Sequence, residues 1–539
     1  MTSEAATTIP ADSLSPWSPL RHPLYRWLWI ASVASNIGTW LQGVGASWLM
    51  TSLSSSASLV AFVQAATSLP MFLLSLPAGA LADVLDRRRI LIVTQGWMTA
   101  SAAALGLLTL FGGITPWALL FFTFVLGLGA ALNGPPWQAI LPELVPRREL
   151  PAAITLQSIG FNIARAAGPA IGGLLVAVAG PAWTFLLNAA SFLGVVAVLV
   201  VWRRPSVESV LPAERFLGAM RTGLRYVRHA PEVIAPIVRG SVFVLCASSL
   251  WALLPVVARI DLKQGAAGYG ILLSALGLGA VAGAMILPRL KRNNSTDLVA
   301  TAATLVFAAA TSVLALVHNF ELVCFALLLA GGAWLSHLSS LNVAVQTVVP
   351  TWVRGRAISV YMLIFYAGLA GGSALWGWVA DHLGVAGSLL ISVAGMVAGL
   401  LATMRFHLQS GEGLNLAPSR QWPALIVHHE PEPERGPVLI TVDYEIDPER
   451  SAEFARTMDE VRRIRLRDGA LQWGLFSDSA VPGRHTEVFL VKSWLEYLRH
   501  RGRSTISDRE NVEKARTFHI GPEPPAVRRL IAEPVPRDG

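Results

Sequence analysis

One pattern recurs at a fixed interval in this chain, and it limits what the chain can fold into. Gly79-Ala80-Leu81-Ala82-Asp83 runs into Asp86-Arg87-Arg88-Arg89 at the end of one apolar stretch. Gly283-Ala284-Met285-Ile286-Leu287 runs into Arg289, Lys291 and Arg292 an interval of 204 residues later. The same interval separates Pro146 from Pro350, Ala153-Ile154 from Ala357-Ile358, Gly168 from Gly372 and Gly173 from Gly377. A duplicated set of apolar segments places a site between its two copies, which can rock around it. The repeat predicts transporter architecture.

Composition agrees. Charged residues make up 14% of the chain and hydrophobic ones 53%, whereas a soluble domain carries about 25% charged residues. Most of the 34 acidic residues lie after position 409, so an apolar body is followed by a polar appendage. The net charge of +8 comes in the body from short loops beside apolar spans. That is an orientation signal, and no aromatic-basic reading face accompanies it, so nucleic acid is not expected as a partner. Cys246 and Cys324 lie within apolar spans as small buried hydrophobes, and neither metal ligation nor a disulfide is indicated. No Gly-x-x-x-x-Gly-Lys-Ser/Thr loop is present, which leaves a nucleotide-driven pump unsupported and implies no cofactor. Residues 1–19 lack a signal-peptide pattern, so the first span is expected to stay as an anchor.

Twelve segments have the length and apolarity of spanning helices: roughly 27–50, 59–82, 90–111, 115–141, 152–179, 182–202, 239–258, 267–288, 298–317, 321–347, 357–380 and 383–404. Basic residues cluster after the second, fourth, sixth, eighth and tenth. Connections after the first, third, fifth, ninth and eleventh have none, and Arg259 and Lys263 after the seventh are the exception. The bias puts both termini in the cytoplasm of a multi-pass plasma-membrane protein. Trp17, Trp27, Trp29, Trp48, Trp117 and Trp183 fall near span ends as an interfacial belt.

The expected organisation is an N-terminal tail (1–20), a first six-helix bundle (21–202), a central loop (203–238), a second bundle (239–406), a Pro-rich linker (407–436) and a soluble domain (437–536). In the last, Val438 to Glu445 alternates as a strand. Pro448 to Arg467 carries Phe454, Met458, Val461 and Ile464 at helical spacing. Leu471–Ser477 and Glu487–Trp494 read as a hairpin, a second basic helical stretch runs to Arg516, and Val527–Ile531 can be a final strand or helix. This β-α-β-β-α-β order is the split-βαβ, ferredoxin-like α+β pattern. The fold class is therefore an all-α membrane body of 12 transmembrane helices in two pseudo-repeated bundles, plus that domain.

The Gly79, Asp83 and Arg87-Arg88 segment resembles the loop signature of the major facilitator superfamily, with Val84 and Asp86 departing from it. Gly168-Pro169 with Gly172-Gly173 resembles the Gly-Pro motif of that superfamily's exporters. Pro142-Glu143-Leu144-Val145-Pro146, the Asp-Arg-Arg-Arg loop and the soluble tail, with Arg465 to Ala470 and Trp473-Gly474-Leu475, are similar to the bacterial transmembrane secretion effectors. That resemblance implies efflux of small molecules, with protons as coupling ion, and a loop at Asp83 that latches the two halves in one conformation. The tail is also similar in fold to antibiotic-biosynthesis monooxygenases.

Single residues carry the mechanistic expectations. Arg165 lies mid-span, where a charge costs about 2.5–3.5 kcal/mol, and can hold an anionic substrate group or tie helices together. Asn162 lies on nearly the same face. Asn36, Gln42, Asn133 and Gln138 are candidate cavity amides, because the first and fourth spans line the cavity in the superfamily. Others, such as Gln64, Gln157, Asn342 and Gln346, can equally bridge helices. His337 can carry a proton or simply pack. No Asp or Glu lies mid-span; Asp83, Glu143 and Asp381 are near edges. The expected partners are a small-molecule substrate, membrane lipid and protons, with self-association or protein docking open to the tail. The leading function is a secondary-active exporter of small amphipathic molecules by alternating access, not an enzyme. Its rivals are a ligand-sensing transceptor, and a membrane-tethered protein whose tail is the regulatory or catalytic unit.

Overall fold

The computed structural model describes residues 15–202, 225–408, 415–417, 419 and 431–533. Most of the expected N-terminal tail, central loop and linker lies outside them. The chain forms two compact units. One comprises Met1–Ala213, Ile237–Leu341 and Tyr361–Arg405, and the other Glu214–Pro236, Asn342–Val360 and Phe406–Gly539.

The first unit is helical. Its helices are α1 (Pro23–Leu53), α2 (Ala57–Val84), α3 (Arg87–Leu110), α4 (Pro116–Leu144), α5 (Leu150–Ala179), α6 (Pro181–Val201), α7 (Pro231–Ile260), α8 (Ala266–Asn293), α9 (Thr296–Leu316), α10 (Phe320–Val348) and α11 (Thr351–Thr403). Among the described residues ten segments are long and apolar enough to cross a membrane. Starts are set by local chemistry. Ser56, Asp86, Thr115 and Ser295 each accept a hydrogen bond from a backbone N–H of the first turn of α2, α3, α4 and α9, satisfying donors that a helix leaves orphaned. The gap expected near 380–383 is instead a break inside α11 at Gly384, where φ is +78°. Gly384 repeats Gly180 at the 204-residue interval. Gly180, at φ +88°, divides α5 from α6, and such a backbone turn favours glycine in both copies.

Within lipid, close backbone approach rather than the hydrophobic effect brings helices together. Side chains of α6 fill the notches in α1 left by glycine. A Cβ on Gly45 would overlap the Thr184 hydroxyl, and one on Gly38 would lie 2.6 Å from Asn188. In the second repeat Gly279 and Gly331 bring α8 against α10, each facing a carbonyl of the other helix, Leu328 and Leu276. Phe243, Phe307 and Trp334 pack as an aromatic cluster at the centre of that half.

The second unit contains a four-stranded sheet of order β2-β3-β1-β4. It is built from β1 (Val438–Glu445), α12 (Ser451–Asp468), β2 (Gln472–Ser477), β3 (Arg484–Val491), α13 (Trp494–Arg503), α14 (Ile506–Arg516) and β4 (Ala526–Ile531). Every neighbouring pair is antiparallel. The stripe Phe454, Met458, Val461 and Ile464 on α12 is buried, the first three against Val442 and Tyr444 of β1. The basic stretch expected as one helix is two, because Thr505 and Asp508 form a capping box that starts α14 afresh. The Arg465 guanidinium lies 3.0 Å from the Glu487 carboxylate, which also accepts from the Trp473 indole.

This unit also takes in the start of α7, the end of α10 and the start of α11. Tyr226 and Trp352 meet edge to face at 5.8 Å. The Arg467 guanidinium lies 5.5 Å from the Tyr226 ring, and that of Arg503 4.7 Å from the Trp352 ring. Arg225 donates to the Gly469 carbonyl at 3.3 Å. Cation–π contacts of this kind are worth about 0.5–2 kcal/mol, more when desolvated.

Candidate functional site

Repeat-related glycines mark where the two bundles touch. A Cβ on Gly173 of α5 would lie 2.5 Å from the Ala266 carbonyl and 2.8 Å from Gly270 Cα on α8. Its repeat partner Gly377, on α11, lies against Ala61 and Ser58 of α2, at 2.5 and 2.9 Å by the same measure. Both contacts join the first bundle to the second, and neither leaves room for a side chain. Gly168 and Gly172 face α1, against Trp40 and Leu41. Pro169 lacks the N–H that would bond the Arg165 carbonyl one turn back. That freed carbonyl is what Gly277 of α8 packs against, at 2.5 Å from a notional Cβ. The Gly-Pro motif thus builds an α5–α8 seam from backbone alone.

Arg165 stands on this seam. Its Nε is buried and has no hydrogen-bond partner among the described residues. A buried guanidinium nitrogen without an acceptor is uncommon, and arginine's fork suits carboxylate or phosphate oxygens. Asn36 is half-buried, with no side-chain partner among the described residues. Asn162 donates back to the Ser158 carbonyl of its own helix, and Gln138 is exposed.

The other candidates are tied into one bundle. Gln42 is buried and accepts from Asn188 of α6. Asn133 accepts from Gln95 of α3 at 3.2 Å. His337 is its repeat partner and makes the equivalent tie in the second bundle. Its Nδ1 lies 3.0 Å from the Thr304 hydroxyl of α9, its ring stacks on Phe243 at 3.8 Å, and its Nε2 is buried without a partner among the described residues. Among the described residues no group of His, Cys, Asp and Glu could hold a metal ion.

The ends of the first unit differ. At the end carrying the α1–α2 connection, the Asp381 carboxylate of α11 reaches the start of α2. It accepts from the Ser56 hydroxyl at 2.8 Å and from the backbone N–H groups of Ala57 and Ser58 at 2.6 and 3.3 Å. Arg259 of α7 donates to the Thr51 and Ser52 hydroxyls of α1 at 3.0 and 2.6 Å. Trp48 stacks on Tyr269. Val44 and Ala57 of the first bundle are buried in the apolar core of the second. The contacts at this end cross from bundle to bundle.

At the opposite end several ion pairs and hydrogen bonds tie helices of the same bundle. Arg87 donates to Glu143 and to the Ala139 carbonyl of α4, at 3.1 and 3.2 Å, and Arg88 to the last carbonyls of α6. Arg239 pairs with Asp297 and donates to Thr301. Gly79 lies in α2, and among the described residues nothing lies against its Cα face. The Asp83 side chain lies outside the described residues, so the latch expected of it is not observed. Sequence reasoning missed Asp381, Arg259 and the Arg239–Asp297 pair as contributors. The run Ser54-Ser55-Ser56 signals a helix cap, but no local pattern names an acid 325 positions away.

Known proteins fit this geometry. The sequence is 27% identical over 393 residues to the multidrug efflux pump Tap of Mycolicibacterium fortuitum, covering 70% of this chain and 95% of Tap. It is 28% identical over 365 residues to the enterobactin exporter EntS of Shigella boydii, covering 66% of this chain and 85% of that protein. The fold matches an aspartate-to-alanine mutant of the nucleoside transporter NupG with a TM-score of 0.60 at 14% identity, over 71% of this chain and 99% of that one. It matches an inward-facing bacterial homologue of the lysosomal transporter Spinster with 0.55 at 15% identity, over 73% and 97%. These relatives are transporters rather than enzymes. The transmembrane secretion effector profile matches residues 14–537, and with nearly the whole chain inside that match the protein belongs to this family of the major facilitator superfamily.

Proposed function

We propose that the chain is a proton-coupled exporter that moves small amphipathic molecules, such as a siderophore, a secondary metabolite or a drug, across the bacterial plasma membrane by alternating access. The observation that carries this reading is the α5–α8 seam with the unpartnered Arg165 beside it, at a contact between two bundles that grip each other at one end. Arg165 and Asn36 are the groups best suited to meet an anionic, hydrogen-bonding substrate. Gln42 and Asn133 serve packing, and His337 remains the proton-coupling candidate, sealed in this conformation with one ring nitrogen unused. The membrane body makes twelve crossings, with α1 as the first and the two arms of α11 as the last two. Both termini are cytoplasmic on this reading, which the distribution of Lys and Arg among the connections supports.

The tail is a ferredoxin-like domain whose strand order supports that description, and it acts as a docking module on Tyr226 and Trp352. The rival in which the tail is the regulatory or catalytic unit is separated by removing residues 410–539. Export survives that truncation on the present reading, and product formation or signalling is lost on the rival one.

The test compares small molecules inside and outside cells of three strains: wild type, deletion, and deletion restored with Arg165→Ala. A compound retained by the deletion strain and still retained with Arg165→Ala, at normal membrane levels, supports export with Arg165 in the site. Matching metabolite profiles in all three, under conditions where the gene is expressed, count against it.

A further inference from the structure

We propose that Asp381 is the lock of the charge-poor end, a residue whose cross-bundle hydrogen bonds set how often that end opens. The inference rests on the alternating-access reading and names the group that biases it. Three observations converge on Asp381. Its carboxylate comes from the second bundle and accepts three hydrogen bonds from the first turn of α2 in the first bundle. A carboxylate at a helix N-terminus gains from orphaned N–H groups and from the helix dipole. Gly377, one turn before it, brings α11 against Ser58 and Ala61, so the carboxylate and the seam close together. Ser56 is itself the cap of α2, accepting from Leu59, so its hydroxyl links α2's own cap to the carboxylate of the other bundle.

The contact is exposed to solvent, which suits a lock that must open. A buried ion pair would hold the end shut more permanently. Breaking these bonds leaves both bundles intact, since α2 keeps its Ser56 cap and α11 keeps its helix. The lock therefore acts on an equilibrium between conformers and not on folding.

The test uses the full chain, purified in detergent, with Cys246→Ala and Cys324→Ala to remove native thiols and Val44→Cys as reporter. Val44 is 1% exposed and packed in the other bundle's core, so a water-soluble maleimide reaches it only when this end opens. Asp381→Ala raises the labelling rate roughly tenfold, the order expected for losing charge-assisted hydrogen bonds. Asp381→Asn and Ser56→Ala raise it less, and they carry the test if the alanine variant is poorly folded. A residue that merely caps α2 would lower the unfolding temperature and leave labelling unchanged. Equal labelling of Val44→Cys in the parent and all three variants overturns the proposal. Because no substrate is involved, a raised rate beside absent export upholds the lock and removes the exporter reading.

Discussion

The two ends of the membrane unit are built on opposite principles. The end with Arg87, Arg88 and Arg239 is rich in charge, yet the Arg87–Glu143 and Arg239–Asp297 pairs and the Arg88 hydrogen bonds tie helices of one bundle. The end with Asp381 and Arg259 has fewer charges, and these two reach across to the other bundle. Conspicuous charge here ties helices within a bundle. Contacts between the bundles include inconspicuous groups: glycines, serines and one exposed carboxylate.

This contrast can be broken by experiment. The largest effect is expected from a wedge in the seam. Gly173→Leu or Gly377→Leu forces a side chain into backbone, and labelling of Val44→Cys should rise well beyond the roughly tenfold change expected for Asp381→Ala. Unchanged labelling would mean that the seam closes by other means. A smaller effect separates the ends. Arg259→Ala should raise labelling about threefold, less than Asp381→Ala, because it removes two charge-assisted hydrogen bonds rather than three. Arg87→Ala should lower the unfolding temperature, since its hydrogen bonds to Ala139 and Glu143 join α3 to α4, and should raise labelling less than Arg259→Ala, since Arg87 lies at the far end from the reporter. Reversed outcomes would exchange the roles of the two ends.

The smallest effect lies in the second unit, where charge is buried. Burial, with Arg465 and Arg503 nearby, holds His500 well below the usual histidine range. The folded tail then keeps His500 neutral, while the unfolded chain binds a proton below about pH 6.5. Stability is full above that pH and is lost as the pH falls through it. Hydrogen exchange across β1 and β3 should therefore quicken as the pH falls from about 7.5 to about 5.5 in the full chain, once the chemical pH dependence of exchange is divided out, and His500→Gln should flatten that dependence.

Much of the architecture was legible in the sequence because the repeat is physical. Gly173 and Gly377 recur at one interval and occupy the same kind of cross-bundle contact. Gly180 and Gly384 do the same for a backbone turn. The first tail strand was legible from alternation and the α12 stripe from helical spacing, whereas β3 runs Arg484–Val491 rather than the expected Glu487–Trp494. Amides were not sortable. Gln42 and Asn36 lie on one helix, yet the first bonds Asn188 and the second has no partner among the described residues. Which face a polar side chain takes depends on the neighbouring helix, which a single span does not encode. Asp381 was read only as an edge residue, because its partner lies in the other bundle. Tyr226 and Trp352 carry no mark that sets them apart from membrane-belt aromatics, and only the arginines of the tail distinguish them.

The α5–α8 seam has a thermodynamic consequence. Ordering a long side chain costs up to about 2 kcal/mol of rotamer entropy, whereas glycine has no rotamers to freeze. Gly173, Gly270 and Gly277 can therefore part and rejoin without any side chain being melted and reordered on each pass. The closed and parted forms differ by little on that account. A ligand moves an equilibrium only by its differential affinity for the two forms, so a seam of this kind lets weak discrimination suffice. A seam of interlocked leucines would demand much more from the cargo.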